Sequence, residues 1–113
     1  MKKLFVDDER DPPGNNWEVA RNFSDAIEML STTEYVDLSL DHDIASFDEN
    51  GREMTGYDIA LFLAQLKMDY QYIPLNIICH SANPVGRARI EGVIARYLQP
   101  CPFDVQRYST CTD

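Results

Sequence analysis

The sequence contains few basic residues for its length. Ten Lys and Arg stand against nineteen Asp and Glu in 113 residues, so the formal net charge is −9. Proteins that coat nucleic acid bind its phosphate backbone through many Lys and Arg side chains. The composition therefore excludes an extended nucleic-acid-binding face, although it is compatible with a local pocket for one phosphate.

Cysteines and long apolar runs are also scarce. The cysteines, Cys79, Cys101 and Cys111, are odd in number and irregularly spaced, which argues against a disulfide framework. The apolar run in the N-terminal "MKKLFVDDE" is too short for a signal peptide, and no segment approaches the length of a membrane span. We therefore expect a cytoplasmic protein with no membrane partner.

The residues that are present predict one compact domain across 1–113 in which short strands alternate with helices. A hydrophobic content of 44% is enough for a core. Apolar alternation and helical periodicity supply the boundaries. The predicted strands are 3–6, 17–20, 36–40, 73–79 and 103–108, and the predicted helices are 24–30, 56–68 and a segment from Pro84 that ends before Pro100.

Capping residues support the predicted helix starts, and the length of the first connection affects the predicted sheet. Ser24, Thr55 and Asn83 are suited to N-caps, and Pro84 suits a first helical position. Strands that alternate with helices imply a mostly parallel sheet with helices on both faces. The first two strands are separated by a short segment containing Pro-Pro-Gly, so we expect the first helix to be reduced or missing.

Polar residues follow three of the predicted strands, at the point where each strand ends. Both histidines of the chain are among them. Because the carboxyl ends of parallel strands share one edge of a sheet, these residues are expected to converge on one site. They are Asp7 and Asp8 after the first strand, Asp41, His42 and Asp43 after the third, and His80 and Ser81, then Asn83 and Arg87, after the fourth.

This layout resembles a response-regulator receiver domain. In that family two acids follow the first strand, a phospho-accepting Asp ends the third, and a Ser or Thr ends the fourth. Asp7 with Asp8, Asp41 and Ser81 take those places here. The lysine that receivers carry after the fifth strand has no match, because "FDVQRYS" offers only Arg107. The departures argue against ordinary phosphorelay signalling.

Four segments resemble a divergent branch, the cyclic-phosphate processing receiver-like domains: "LFVDDERDPP", "LSLDHDI", "TGYDIA" and "HSANPVGR". The resemblance implies a flavodoxin-like, three-layer α/β sandwich with a mostly parallel five-stranded sheet in the order 2-1-3-4-5. It also implies a role on 2′,3′-cyclic phosphate RNA ends or cyclic nucleotides, as in RNA repair or nucleotide processing.

Opening a cyclic phosphodiester with water needs a proton acceptor and a proton donor. Histidine serves either role near neutral pH. We predict that His42 and His80, on neighbouring strand ends, stand on either side of a bound phosphate, and the sequence leaves open which is acid and which is base. Asp41 or Asp43 could orient one of the rings.

The phosphate would need hydrogen-bond donors. The helix that begins at Asn83 presents free N–H groups and the positive end of its dipole. Gly86 would let the backbone approach closely, Arg87 could bind phosphate oxygens in bidentate fashion, and Ser81 could add a hydroxyl.

The acids suggest a metal. Carboxylates are the ligands that Mg²⁺ prefers, and a bound ion would offset their repulsion of a phosphate. The predicted cluster comprises Asp7, Asp8, Asp41 and Asp43. A zinc site that includes the two histidines is a further alternative, and metal-independent histidine chemistry also stays open.

The leading interpretation is a phosphoesterase, a hydrolase of the phosphodiesterase type. The alternative is a pseudo-receiver, a signalling or binding module that accepts phosphate at Asp41 or recognises a partner. The sequence predicts neither the base preference nor the oligomeric state.

Overall fold

The computed structural model describes residues 2–98. The predicted strand at 103–108, with Arg107, lies outside the described residues. Six strands and three helices follow one another in the described part of the chain. The strands are β1 (Lys2–Val6), β2 (Trp17–Ala20), β3 (Tyr35–Leu40), β4 (Ser46–Phe47), β5 (Glu53–Met54) and β6 (Asn76–Cys79), and the helices are α1 (Phe23–Thr32), α2 (Gly56–Met68) and α3 (Pro84–Val93), which continues as a π-helical turn (Ile94–Leu98).

The main sheet of the described residues has four parallel strands in the order β2-β1-β3-β6. The α/β fold with a mostly parallel sheet is therefore confirmed. A separate antiparallel hairpin of β4 and β5 was not predicted, because its strands are only two residues long. No helix lies between β1 and β2, where residues 7–16 are all described, so the missing first helix is also confirmed.

The helix starts follow the capping residues, with one correction. Asn22, not Ser24, caps α1, since its side chain accepts the N–H of Asp25 at 2.8 Å. Thr55 forms a capping box with Asp58 at the start of α2. Asn83 caps α3, with proline at the first helical position as predicted.

All three helices of the described residues pack on one face of the sheet. The crossovers from β2 to β3 and from β3 to β6 run in the same direction, and right-handed crossovers in one direction place their helices on the same side. The helices and one face of the strands share a single apolar core that includes Leu4, Leu38, Ile59 and Ile90. The predicted three-layer arrangement with helices on both faces is thus not found within residues 2–98. The reason is local: the β1–β2 connection, which would run over the other face, contains no helix.

The opposite face of the sheet carries Phe5, Trp17 and Ile78. Phe5 and Trp17 meet edge to face, with ring centroids 6.0 Å apart, and Ile78 is 57% exposed. Within the described part of the chain, no helix is long and apolar enough to cross a membrane.

Candidate functional site

The register of the parallel strands brings the residues of the site together. The last residues of β1, β3 and β6 pair with one another, so the residues that follow them, Asp7, Asp41 and His80, lie side by side at the carboxyl edge of the sheet. The backbone pairing continues into this row: Asp41 donates its N–H to Val6 O at 3.0 Å, and His80 donates to Leu40 O at 2.9 Å. The predicted convergence of three strand ends follows directly from this register.

His80 is held by both of its ring nitrogens. Nδ1 lies 2.6 Å from Ser39 Oγ, and Nε2 lies 2.9 Å from Asp7 Oδ2. The ring stacks on Phe5, with centroids 4.3 Å apart and an interplanar angle of 7°. Since Phe5 and Ser39 face away from the helices, His80 lies on the helix-free side of the sheet.

Asp7 is a buried carboxylate, 1% exposed, with a full set of donors. Its Oδ1 accepts the backbone N–H groups of Glu9 at 2.9 Å and Arg10 at 2.8 Å. Burial by itself would raise the pKa of Asp7, but the N–H groups of Arg10 and Glu9, together with His80, outweigh burial and lower that pKa. Asp7 is therefore ionised and can only accept, so Nε2 of His80 carries a proton and donates it.

His42 lies on the helix side, in a separate network. Its Nδ1 is 2.9 Å from Asp43 Oδ1, and Asn83 Nδ2 donates to the other oxygen of Asp43 at 3.2 Å. The hydrogen bond from His42 lowers the pKa of Asp43; burial opposes this, and Asn83 adds to it. The ionised carboxylate places a proton on Nδ1 of His42. Nε2 makes no hydrogen bond with any residue of 2–98 and is left for a ligand.

Gly86 makes room for this ring. A Cβ built on Gly86 would overlap the imidazole of His42, with Cγ, Cδ2 and Nδ1 all far inside van der Waals contact. The space beside Gly86 that the sequence analysis assigned to an approaching phosphate is thus filled by His42.

Comparison with known proteins identifies the family. The model of the cyclic-phosphate processing receiver domain matches residues 2–96, which is most of the chain. The chain belongs to this family. Its name links the domain to cyclic-phosphate processing. No curated protein and no solved structure shows significant similarity to the chain.

In this receiver domain the residues predicted to bind phosphate have partners within the protein. Asn83 Oδ1 accepts the N–H groups of both Val85 and Gly86 at 3.1 Å, and the N–H of Arg87 donates to Asn83 O at 2.8 Å. The N–H groups at the start of α3 are therefore occupied by its own cap. Ser81 Oγ accepts the N–H of Asn83 at 3.1 Å.

The guanidinium of Arg87 is also engaged. Its Nε pairs with Glu91 Oε2 at 3.2 Å, one turn further along α3, and both side chains are about half exposed. Such an exposed pair contributes little to stability and opens readily. Binding of phosphate by Arg87 would replace this ion pair, and it stays a prediction.

Asp7, Asp41 and His80 could hold a metal ion. One ligand atom from each lies within 4.8 Å of the others. Within residues 2–98, neither Asp8 nor Asp43 belongs to this group. The two carboxylates fit a divalent cation, because Asp7 is ionised. His80 would become a ligand only if one of its ring nitrogens left Asp7 or Ser39. Carboxylate ligands suit Mg²⁺ and Mn²⁺, whereas an imidazole ligand would favour Zn²⁺.

Two residues of the site were missed by the sequence analysis, Phe5 and Ser39. Both lie inside apolar strands, and each points to the same face as the strand-end residue that follows two positions later. The polar Ser39 in the buried segment "LSL" was the available signal, since a buried hydroxyl needs a partner.

Proposed function

We propose that this receiver domain is a hydrolase that opens cyclic phosphates, either 2′,3′-cyclic phosphate RNA ends or cyclic nucleotides. The observation that carries the proposal is the state of His42: Asp43 holds its Nδ1, and its Nε2 makes no hydrogen bond with any residue of 2–98. A histidine oriented by a carboxylate and open on its other nitrogen is the arrangement that general base catalysis requires.

In the proposed step, Nε2 of His42 accepts a proton from water. The water oxygen forms a bond to phosphorus, one ring P–O bond breaks, and the leaving ribose oxygen takes up a proton. The leaving oxygen takes this proton from solvent, and the protonated His42 releases its own to solvent, so the base is regenerated in one turnover. Asp43 stabilises the imidazolium, and Asn83 keeps Asp43 in place through its amide.

We assign His80 a positioning role, which revises the predicted pair of facing histidines. Both of its nitrogens are engaged by Ser39 and Asp7, on the side of the sheet opposite His42. Its donated proton keeps the Asp7 carboxylate turned toward Asp41. A divalent cation held by the carboxylates of Asp7 and Asp41 would supply positive charge to a phosphate oxygen.

The charge of the chain favours a small substrate. With a net charge of −9, a long RNA tract would be repelled, whereas a nucleotide or a short RNA end needs only a local site. Arg10, whose backbone N–H binds Asp7, carries an exposed guanidinium that has no partner within residues 2–98 and could meet a phosphate.

The protein is expected to convert nucleoside 2′,3′-cyclic phosphates into phosphomonoesters. Purified protein would be incubated with a cyclic nucleotide and with an oligoribonucleotide that ends in a cyclic phosphate, with Mg²⁺, Mn²⁺ or Zn²⁺ and with a chelator. Phosphorus NMR distinguishes the cyclic diester from the monoester product. If neither substrate yields monoester under any of these conditions, the proposal is wrong.

A second candidate function rests on Asp41. This residue occupies the receiver phospho-acceptor position beside Asp7; one of its oxygens accepts the N–H of His42 at 2.8 Å, and the other accepts no hydrogen bond from residues 2–98. A phospho-accepting module should respond to beryllofluoride with Mg²⁺ by NMR shifts around Asp41 that vanish in Asp41→Asn. An unchanged wild-type spectrum would exclude this role.

A further inference from the structure

A cleft of about 380 Å³ opens between the start of α1 and the β4–β5 hairpin. Its walls are Phe23, Phe47 and Met54, and its rim carries the polar side chains of Asn22, Ser24 and Asp48. The volume falls within the range of small-molecule pockets, which are typically apolar with a few polar groups. Phe47 is 65% exposed, so its side chain is accessible to a ligand.

Two chain segments join this cleft to the His42 site. Met54 in its wall stands two residues before Gly56, whose N–H donates to His42 O at 2.9 Å. Asp43, the partner of His42, stands three residues before Ser46 at the start of the hairpin. Because one residue spans at most about 3.6 Å, these links place the edge of the cleft within about 11 Å of the His42–Asp43 pair.

A third link comes from the other side of the cleft. Arg21 donates from Nη1 to Asp7 O at 3.3 Å, and the next residue, Asn22, is on the rim. The rim of the cleft is therefore tied through Arg21 to the row of strand-end residues, and the hairpin side of the cleft lies near His42. A nucleoside phosphate has the length to occupy both places at once.

The rim can also form hydrogen bonds. The hydroxyl of Ser24 has no partner within residues 2–98, and Asp48 accepts two backbone N–H groups on Oδ1 while Oδ2 accepts none from these residues. An uncharged flat ring with polar edges fits apolar walls with such a rim. A second phosphate would be repelled by Asp48.

We propose that this cleft binds the base of a nucleoside cyclic phosphate, with Phe47 stacked on the base and the cyclic phosphate at His42. The inference rests on the proposed hydrolysis and makes nucleotides its substrate class, in preference to cyclic phosphates without a base. Phe47 is then a specificity-determining residue.

The test compares adenosine 2′,3′-cyclic phosphate with methyl riboside 2′,3′-cyclic phosphate, which lacks a base. Stacking on an aromatic side chain accounts for roughly a 5- to 160-fold difference in affinity per base. Phe47→Ala should lower the ratio of the two kcat/KM values by that factor, and Phe47→Trp should restore it. Tyr70→Ala removes another exposed aromatic ring at the opposite edge of the sheet and should leave the ratio unchanged.

An unchanged ratio in Phe47→Ala would overturn the base site and leave the proposed hydrolysis intact. If the protein turns over neither substrate, the proposed hydrolysis is wrong, and the base site is tested by nucleotide binding alone. Adenosine 3′-monophosphate should then still shift the amide resonances of residues 22–24 and 46–54 in the wild type, and Phe47→Ala should abolish the shifts. A wild-type spectrum without such shifts would exclude the base site.

Discussion

Gly86→Ala should remove most of the hydrolytic activity without unfolding the protein. The added methyl would occupy the place of the His42 ring and force it away from Asp43. Loss of a positioned general base costs about 10²- to 10⁴-fold in rate. The kcat of Gly86→Ala on a 2′,3′-cyclic nucleotide should therefore approach that of His42→Ala, which sets the maximum loss.

Gly92→Ala provides a matched control in the same helix. Apart from the neighbouring backbone of α3, a Cβ on Gly92 meets no atom of residues 2–98 within 4 Å. Alanine is favoured over glycine in a helix by about 1 kcal/mol, so this variant should be slightly more stable and fully active. Gly86→Ala has the same favourable change in helix propensity. A loss of activity in Gly86→Ala but not in Gly92→Ala would therefore come from the displaced His42 ring and not from a weakened α3.

The double variant His42→Ala/Gly86→Ala shows whether the methyl group at position 86 acts through the His42 ring. If the methyl acts only through the ring, it should have no further effect on kcat once the ring is gone. Wild-type activity in Gly86→Ala would show that the position of His42 is not important for turnover. A further large loss in the double variant would show that Gly86 acts through another group.

The position of the site along the chain could be predicted, because it depends only on topology. Asp7, Asp41 and His80 each follow an apolar strand, and parallel pairing brings such residues to one edge. Helix starts were predictable where one strong cap stands alone, as at Thr55 and Asn83. At α1, Asn22 and Ser24 compete as caps, and propensity alone does not rank them.

The networks within the site could not be predicted. A one-residue change in where a strand ends reverses the side to which the next residue points, and the sequence sets strand ends only approximately. His42 and His80 were therefore expected to face one another, whereas the structure has His42 against α3 and His80 stacked on Phe5. Packing of α3 also decides that Asn83 reaches Asp43.

Replacement of Asp7 should cause the largest loss of stability in the site. Asp7→Asn puts an amide group where the carboxylate now accepts two backbone N–H groups and the proton of His80. Changing a buried acceptor so that its donors lose their partner costs about 1–3 kcal/mol, and more where the acceptor is charged. Asp8→Asn is the control, because Asp8 is partly exposed and makes no hydrogen bond within residues 2–98. Its free energy of unfolding should stay within about 0.5 kcal/mol of wild type.

The pH dependence of the destabilisation in Asp7→Asn shows whether the charge of Asp7 or its packing stabilises the fold. The pKa of Asp7 is lowered below its ordinary value of 3.8 in the folded protein, so the carboxylate stabilises the fold above that pH. This contribution is lost as the pH falls through the lowered pKa, because both folded and unfolded chains then hold the proton. The difference in free energy of unfolding between wild type and Asp7→Asn, measured by urea denaturation, should therefore be large near about pH 6 and shrink below about pH 4. A difference that stays constant down to about pH 2.5 would mean that packing, and not the ionised carboxylate, makes Asp7 stabilising.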